Sequence, residues 1–118
     1  MQIPLQITFH GIDHSDAVEE RVREKVGKLE QFFDRITSCR VAIEVHHKNT
    51  SNLHHKGEPF HIRIDLTVPG TELVVKRDPK DAHVHEDVYV ALRDAFQAME
   101  RQLKEYVERS RGDVKAHA

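Results

Sequence analysis

Cys39 is the single cysteine in a chain of 118 residues. One thiol forms no internal disulfide and no multi-cysteine zinc site. No apolar run approaches the roughly twenty residues that a membrane span needs. The opening "MQIPLQITFHG" has no basic start followed by an apolar block, so no signal peptide is expected. Together these absences point to a reducing cytoplasm and no membrane partner. Positive charge is not in excess either, since the formal net charge is −2 with histidines neutral. Machinery for covalent chemistry is also missing. No serine sits in a glycine-rich elbow, and no catalytic signature surrounds Cys39. Cys39 reads as a small buried residue at the start of a strand. The expectation is a protein that is not an enzyme, with no cofactor and no small-molecule substrate. Internal repeats and dividing linkers are absent, so residues 1–109 read as one domain and residues 110–118 as a disordered tail.

What is present is patterned. "QIPLQITFH" alternates, with Ile3, Leu5, Ile7 and Phe9 on one side, which is a half-buried strand. Pro4 lacks a ladder donor and suggests an edge position. "SDAVEERVREKVGKLEQFF" reads as a helix capped by Ser15. Its apolar stripe is Val18, Val22, Val26, Leu29 and Phe33. Gly27 lies off that stripe and marks either a close approach or nothing. "CRVAIEVHH" and "FHIRIDLTV" alternate again, "PGT" is a turn signal, and "ELVVKR" is a short strand. "HEDVYVALRDAFQAMERQLKEYVER" is a second, longer helix with the stripe Val88, Leu92, Phe96, Met99 and Leu103. "SRGDVKAHA" beyond it has no apolar period and should fray. The order β-α-β-β-β-α gives an α+β, two-layer sandwich: a four-stranded sheet with both helices on one face. The other face stays open and carries Arg40, Glu44, His46, His61, Arg63 and Asp65.

The helices sort their charges. At about 100° per residue, Arg21, Lys25 and Lys28 fall on one flank of the first stripe. Arg93, Gln97, Arg101 and Lys104 fall on the opposite flank of the second. A solvated helix laced with i,i+4 pairs accounts for the first pattern alone. If the two flanks converge, they build a basic groove suited to phosphate backbones, with salt-dependent binding. If they diverge, they lie on the outer edges. The sequence leaves both open.

Ten histidines are the other anomaly, and five lie between His46 and His61 in "HHKNTSNLHHKGEPFH". Two adjacent pairs waste a member each as metal ligands, because neighbours on an extended chain point apart. His83 and His85, two apart, are the better metal candidates, although no physiological metal is expected. Histidines can instead contact RNA. His46, Lys48, Lys56, His61, Arg63, Lys76 and Arg77 form a secondary set of RNA-contact candidates. Mild acid would charge several histidines and should tighten such binding.

The pieces "KLE" and "EDVYVAL…ERQLK", in this β-α-β-β-β-α order, resemble the ribosome hibernation promoting factor and ribosome-associated inhibitor family, also called sigma-54 modulation proteins. The likeness covers about residues 2 to 107. It implies a fold like double-stranded RNA-binding domains. It also implies binding to the small ribosomal subunit and its ribosomal RNA near the decoding centre, with ribosomes silenced by occupancy during slow growth or stress. The RNA-facing residues would be Arg21, Lys25, Lys28, Arg93, Arg101 and Lys104, which favours a converging groove. Three features depart from the family pattern: the histidine-rich segment, the long acidic link "KRDPKDAHVHEDVY", and an end soon after the second helix, as in a short form. Two alternatives stand beside this reading. One is a cytosolic histidine-rich metal-binding or stress protein; the other is a binder of some other structured RNA.

Overall fold

A computed structural model describes residues 4–45, 60–78 and 87–116, with side chains through Arg111. The histidine-rich stretch 46–59, with His46, Lys48 and Lys56, lies outside the described residues, as do His83 and His85.

The elements follow the expected order: β1 (Leu5–His10), α1 (Asp16–Phe32), β2 (Ser38–Val45), β3 (Phe60–Val68), β4 (Thr71–Arg77) and α2 (Val88–Ala116). The four strands form one sheet in chain order, β1-β2-β3-β4. β1 runs parallel to β2, and the next two pairings are antiparallel. The parallel pair requires a crossover, and α1 is that crossover. β1 is an edge strand, where Pro4 costs no ladder bond. The carbonyl of Pro4 instead accepts from the Cys39 N–H at 3.0 Å. Between β3 and β4, Pro69 and Gly70 make the turn. Gly70 has φ 85°, the value a type II turn demands at its third position.

Alternation decides which strand residues meet the helices. Cys39, Val41, Ile43, Ile62, Ile64, Leu66 and Val75 are buried on one face, with Val22 and Val26 of α1 and Leu92, Met99 and Leu103 of α2 above them. α1 starts as the sequence predicts. Ser15 Oγ accepts from the Val18 N–H at 3.3 Å, and Ser15 O accepts from the Glu19 N–H at 3.0 Å. Asp87 does the same for α2, its Oδ1 accepting from the Tyr89 N–H at 2.8 Å. α2 lies across β3 and β4 and is tied down by polar contacts. Gln102 donates to Val74 O at 2.9 Å, and Tyr106 Oη donates to Pro69 O at 2.7 Å. Both use carbonyls at the outer side of the β3–β4 hairpin, where the sheet has no further strand to satisfy them.

Two features are sharper in the structure than in the sequence. α2 runs on to Ala116, beyond the point where the loss of apolar period suggested fraying. Intrahelical bonds need no apolar face, which is why missing periodicity is a poor stop signal. Gly27 marks no close approach, since a Cβ built there meets nothing within 4 Å. A Gly27→Ala substitution should therefore stabilise the fold by roughly 0.5–1 kcal/mol. Urea unfolding checks this, and a lowered midpoint would mean that the site is crowded after all.

Candidate nucleic-acid interface

The two helices run parallel, side by side. Near their N-terminal ends, the Arg21 guanidinium sits 4.9 Å from the centre of the Tyr89 ring. Near their C-terminal halves, Lys104 Nζ lies 5.9 Å from the centre of the Phe32 ring. Between them runs a groove of about 280 Å³, walled by Lys25, Lys28 and Phe32 of α1 and by Arg93, Gln97 and Glu100 of α2. The question left open by the helical wheel is thus answered: the flanks converge. The spacing explains it. Positions 21, 25, 28 and 32 repeat by four, three and four along α1, and 93, 97, 100 and 104 repeat likewise along α2. Each set is one strip of a helix surface.

The cations differ in how firmly they are held. Arg21 pairs with Glu24 at 3.7 Å, Arg93 with Asp94 at 3.2 Å, and Lys104 with Glu100 at 3.2 Å. These pairs are solvent-exposed and contribute about 0–1 kcal/mol each, so an arriving phosphate can exchange for the carboxylate. Among the described residues, Lys25 and Lys28 have no ion pair. They stand in the middle of the groove, opposite Arg93 and Gln97. Their charge is the least compensated in the site. Arg101 is exposed but turned about 80° from Arg93 around the helix axis, which puts it on the outer crest of α2 and not in the wall.

The secondary candidates separate onto two faces. Arg63 and Lys76 are cross-strand partners on the open face of the sheet, on the side away from the helices. Arg63 is bound to Asp65 at 3.2 Å. His61 shares that face, its Nδ1 2.8 Å from Asp78 Oδ1. Arg77 points the other way. It pairs across the sheet with Ile62, faces the helices, and donates from Nη2 to Asp94 Oδ2 at 3.2 Å. Arg77 therefore joins β4 to α2, and through Asp94 it sits behind Arg93.

Three further side chains matter that sequence reasoning passed over. Tyr89 seats Arg21. Phe32, one position off the apolar stripe, is 46% exposed beside the groove. His14 lies with Asp16 and Glu19, their donor atoms within 4.8 Å of one another. The signal for the last is the spacing "HSDAVE" around the N-cap. At the positive end of a helix this is a poor place for a cation, and it reads as surface pairing. Cys39 is buried as expected at 1% exposure, and burial, with help from the Asp65 charge, pushes its thiol up to about 12. A thiol so held is neither a nucleophile nor a metal ligand at neutral pH. Among the described residues, no helix is long and apolar enough to cross a membrane.

A sheet carrying two parallel helices on one face, with a cationic groove between them, is a surface for a polyanion. The comparisons identify the class. Residues 5–111 match the family model described as sigma 54 modulation protein / S30EA ribosomal protein, and the chain belongs to this family. A ribosome hibernation promoting factor of Azotobacter vinelandii is 33% identical over 105 residues, covering 89% of this chain and 83% of that protein. A ribosome hibernation promotion factor of Deinococcus radiodurans is 27% identical over 106 residues, and the match spans only 49% of its length. Among solved structures, a ribosomal subunit interface protein from Coxiella burnetii superposes with a TM-score of 0.68 at 17% identity, covering 90% of this chain and 99% of that one. The fold is thus that of the family, with four strands and two helices as the sequence predicted.

Proposed function

We propose that the chain is a ribosome hibernation factor. It binds the small ribosomal subunit near the decoding centre through the groove between α1 and α2, and blocks translation by occupancy. The observation that carries the reading is the convergence of Arg21, Lys25 and Lys28 on Arg93 and Lys104 in a protein of net charge −2. Charge so concentrated is directed at a partner rather than spread for solubility. The names of the relatives supply the partner. Among the described residues the groove offers cations, the Gln97 amide and the Glu100 carboxylate, which suits binding without chemistry, in the cytoplasm where ribosomes are. The open face of the sheet stays outside this contact.

The test is sedimentation of the pure protein with ribosomes through sucrose gradients at increasing potassium and fixed magnesium. Co-migration with the small subunit or whole ribosome, falling steeply with salt, is the expected result. The slope of log affinity against log salt counts the phosphates engaged, at about 0.7–0.9 per contact. A new, heavier ribosome peak would add promotion of ribosome dimers. Absence of the protein from every ribosomal fraction at low salt would overturn the reading and leave binding of another structured RNA to be examined.

A further inference from the structure

At the C-terminal end of the groove lies a second, larger cavity of about 820 Å³. Phe32 lines both the groove and this cavity, so the two adjoin at its ring. A single exposed apolar side chain is ordinary on a soluble protein. Phe32 differs in its surroundings. Its neighbour Phe33 is turned inward, edge to face with Tyr106 at 5.6 Å, and Tyr106 is itself fixed to Pro69 O at 2.7 Å. That leaves a firm back wall and one aromatic ring facing the opening. Around the opening stand Arg35, Lys104 and Arg111, against Asp34 and Glu108. The Arg111 side of the cavity exists because α2 continues past the point where the sequence suggested it would fray.

An aromatic ring beside a concavity, with three cations against two carboxylates in the lining and a cationic groove adjoining, matches one kind of occupant. An unpaired nucleotide has a flat base to stack and a phosphate to pair. We infer that Phe32 is the stacking platform for one unpaired RNA base at the end of the inter-helix groove, with Arg35, Lys104 and Arg111 holding the adjoining phosphates. The inference rests on the ribosome-binding reading and deepens it. It adds a contact that responds to base unpairing rather than to charge alone.

Two variants test it beside a groove variant. Phe32→Leu keeps an apolar side chain and removes the aromatic face; Phe32→Trp enlarges that face. The chain has no tryptophan, so the second variant also supplies a unique fluorophore. Phe32→Leu should weaken ribosome binding roughly 5- to 100-fold, with an unchanged salt slope, because no phosphate contact is lost. Phe32→Trp should bind at least as well as the wild type, and its emission should be quenched on binding. Chemical probing of ribosomal RNA should find a base whose reactivity changes with wild type and Phe32→Trp but not with Phe32→Leu.

Lys25→Ala/Lys28→Ala serves as reference, since it should lower the salt slope. If this variant loses binding and Phe32→Leu does not, the stacking site is overturned and the groove reading stands. If Phe32→Leu weakens binding while tryptophan emission and base reactivity stay unchanged, Phe32 packs on a ribosomal protein and the base site is overturned. If the wild type does not bind ribosomes, both readings fall together.

Discussion

Lys25→Glu/Lys28→Glu should weaken ribosome binding by a factor on the order of 100 or more and flatten its salt dependence. The size follows from what the two side chains lack. Neither has an ion pair among the described residues, so each is available to a phosphate. A hydrogen bond to a charged group contributes about 1.5–3 kcal/mol, and two of them account for at least a hundredfold. Reversing the sign adds repulsion against Arg-bound phosphates along the same groove. The salt slope should fall by roughly 1.4–1.8 units, one contact's worth for each lysine. Stability should change by less than about 0.5 kcal/mol, because Lys28 is exposed and Lys25 only half-buried, with neither in the core. Lys76→Glu is the control, being an exposed cation on the opposite face of the sheet. It should lose several-fold at most. An equal loss from Lys76→Glu would move the partner to the open face and remove the groove from the account.

The second large effect is on the scaffold. Leu92 is fully buried, at 0% exposure, where α2 meets the sheet. Leu92→Ala should cost about 2–5 kcal/mol, the lost transfer energy plus a cavity that rigid neighbours cannot close. For a chain of this size that should lower the thermal midpoint by roughly 10 °C or more. Arg101→Ala, on the outer crest of the same helix, should stay within about 0.5 kcal/mol of wild type. Calorimetry of the two variants separates them. A cost below about 1 kcal/mol for Leu92→Ala would mean that α2 is not docked as described. Because α2 carries half of the groove, Leu92→Ala should also weaken ribosome binding without touching any groove cation.

Much of this was legible beforehand, for physical reasons. β2 and β3 alternate strictly, so their buried and exposed faces follow from the pleat alone. The helix stripes follow from the 3.6-residue period. The convergence of the basic flanks was not legible. It depends on which side of α1 the second helix lies, and that is set by the strand order and by α2 crossing β3 and β4. Had α2 lain on the other side of α1, the same flanks would have pointed outward. The direction of Arg77, one of the secondary RNA-contact candidates, was not legible for a similar reason. "ELVVKR" has Val74 and Val75 side by side, and only the pairing of Val75 with Ile64 decides that Val75, and with it Arg77, faces the helices. Phe32 was hidden by its neighbour, since a doublet offers two rings and the stripe claimed Phe33. The full length of α2 was not legible, because the loss of an apolar face suggests a helix end, whereas the backbone needs no such face to continue.

One wall of the groove belongs to the second element in chain order and the other to the sixth. During synthesis α1 and the whole sheet emerge first, and domains form as the chain lengthens. At that stage Ile62, Ile64, Leu66 and Val75 have no α2 above them, and Lys25 and Lys28 face no partner wall. The element that covers the core is the same one that brings Arg93 and Lys104. A nascent copy that lacks α2 therefore has neither a covered core nor a complete groove.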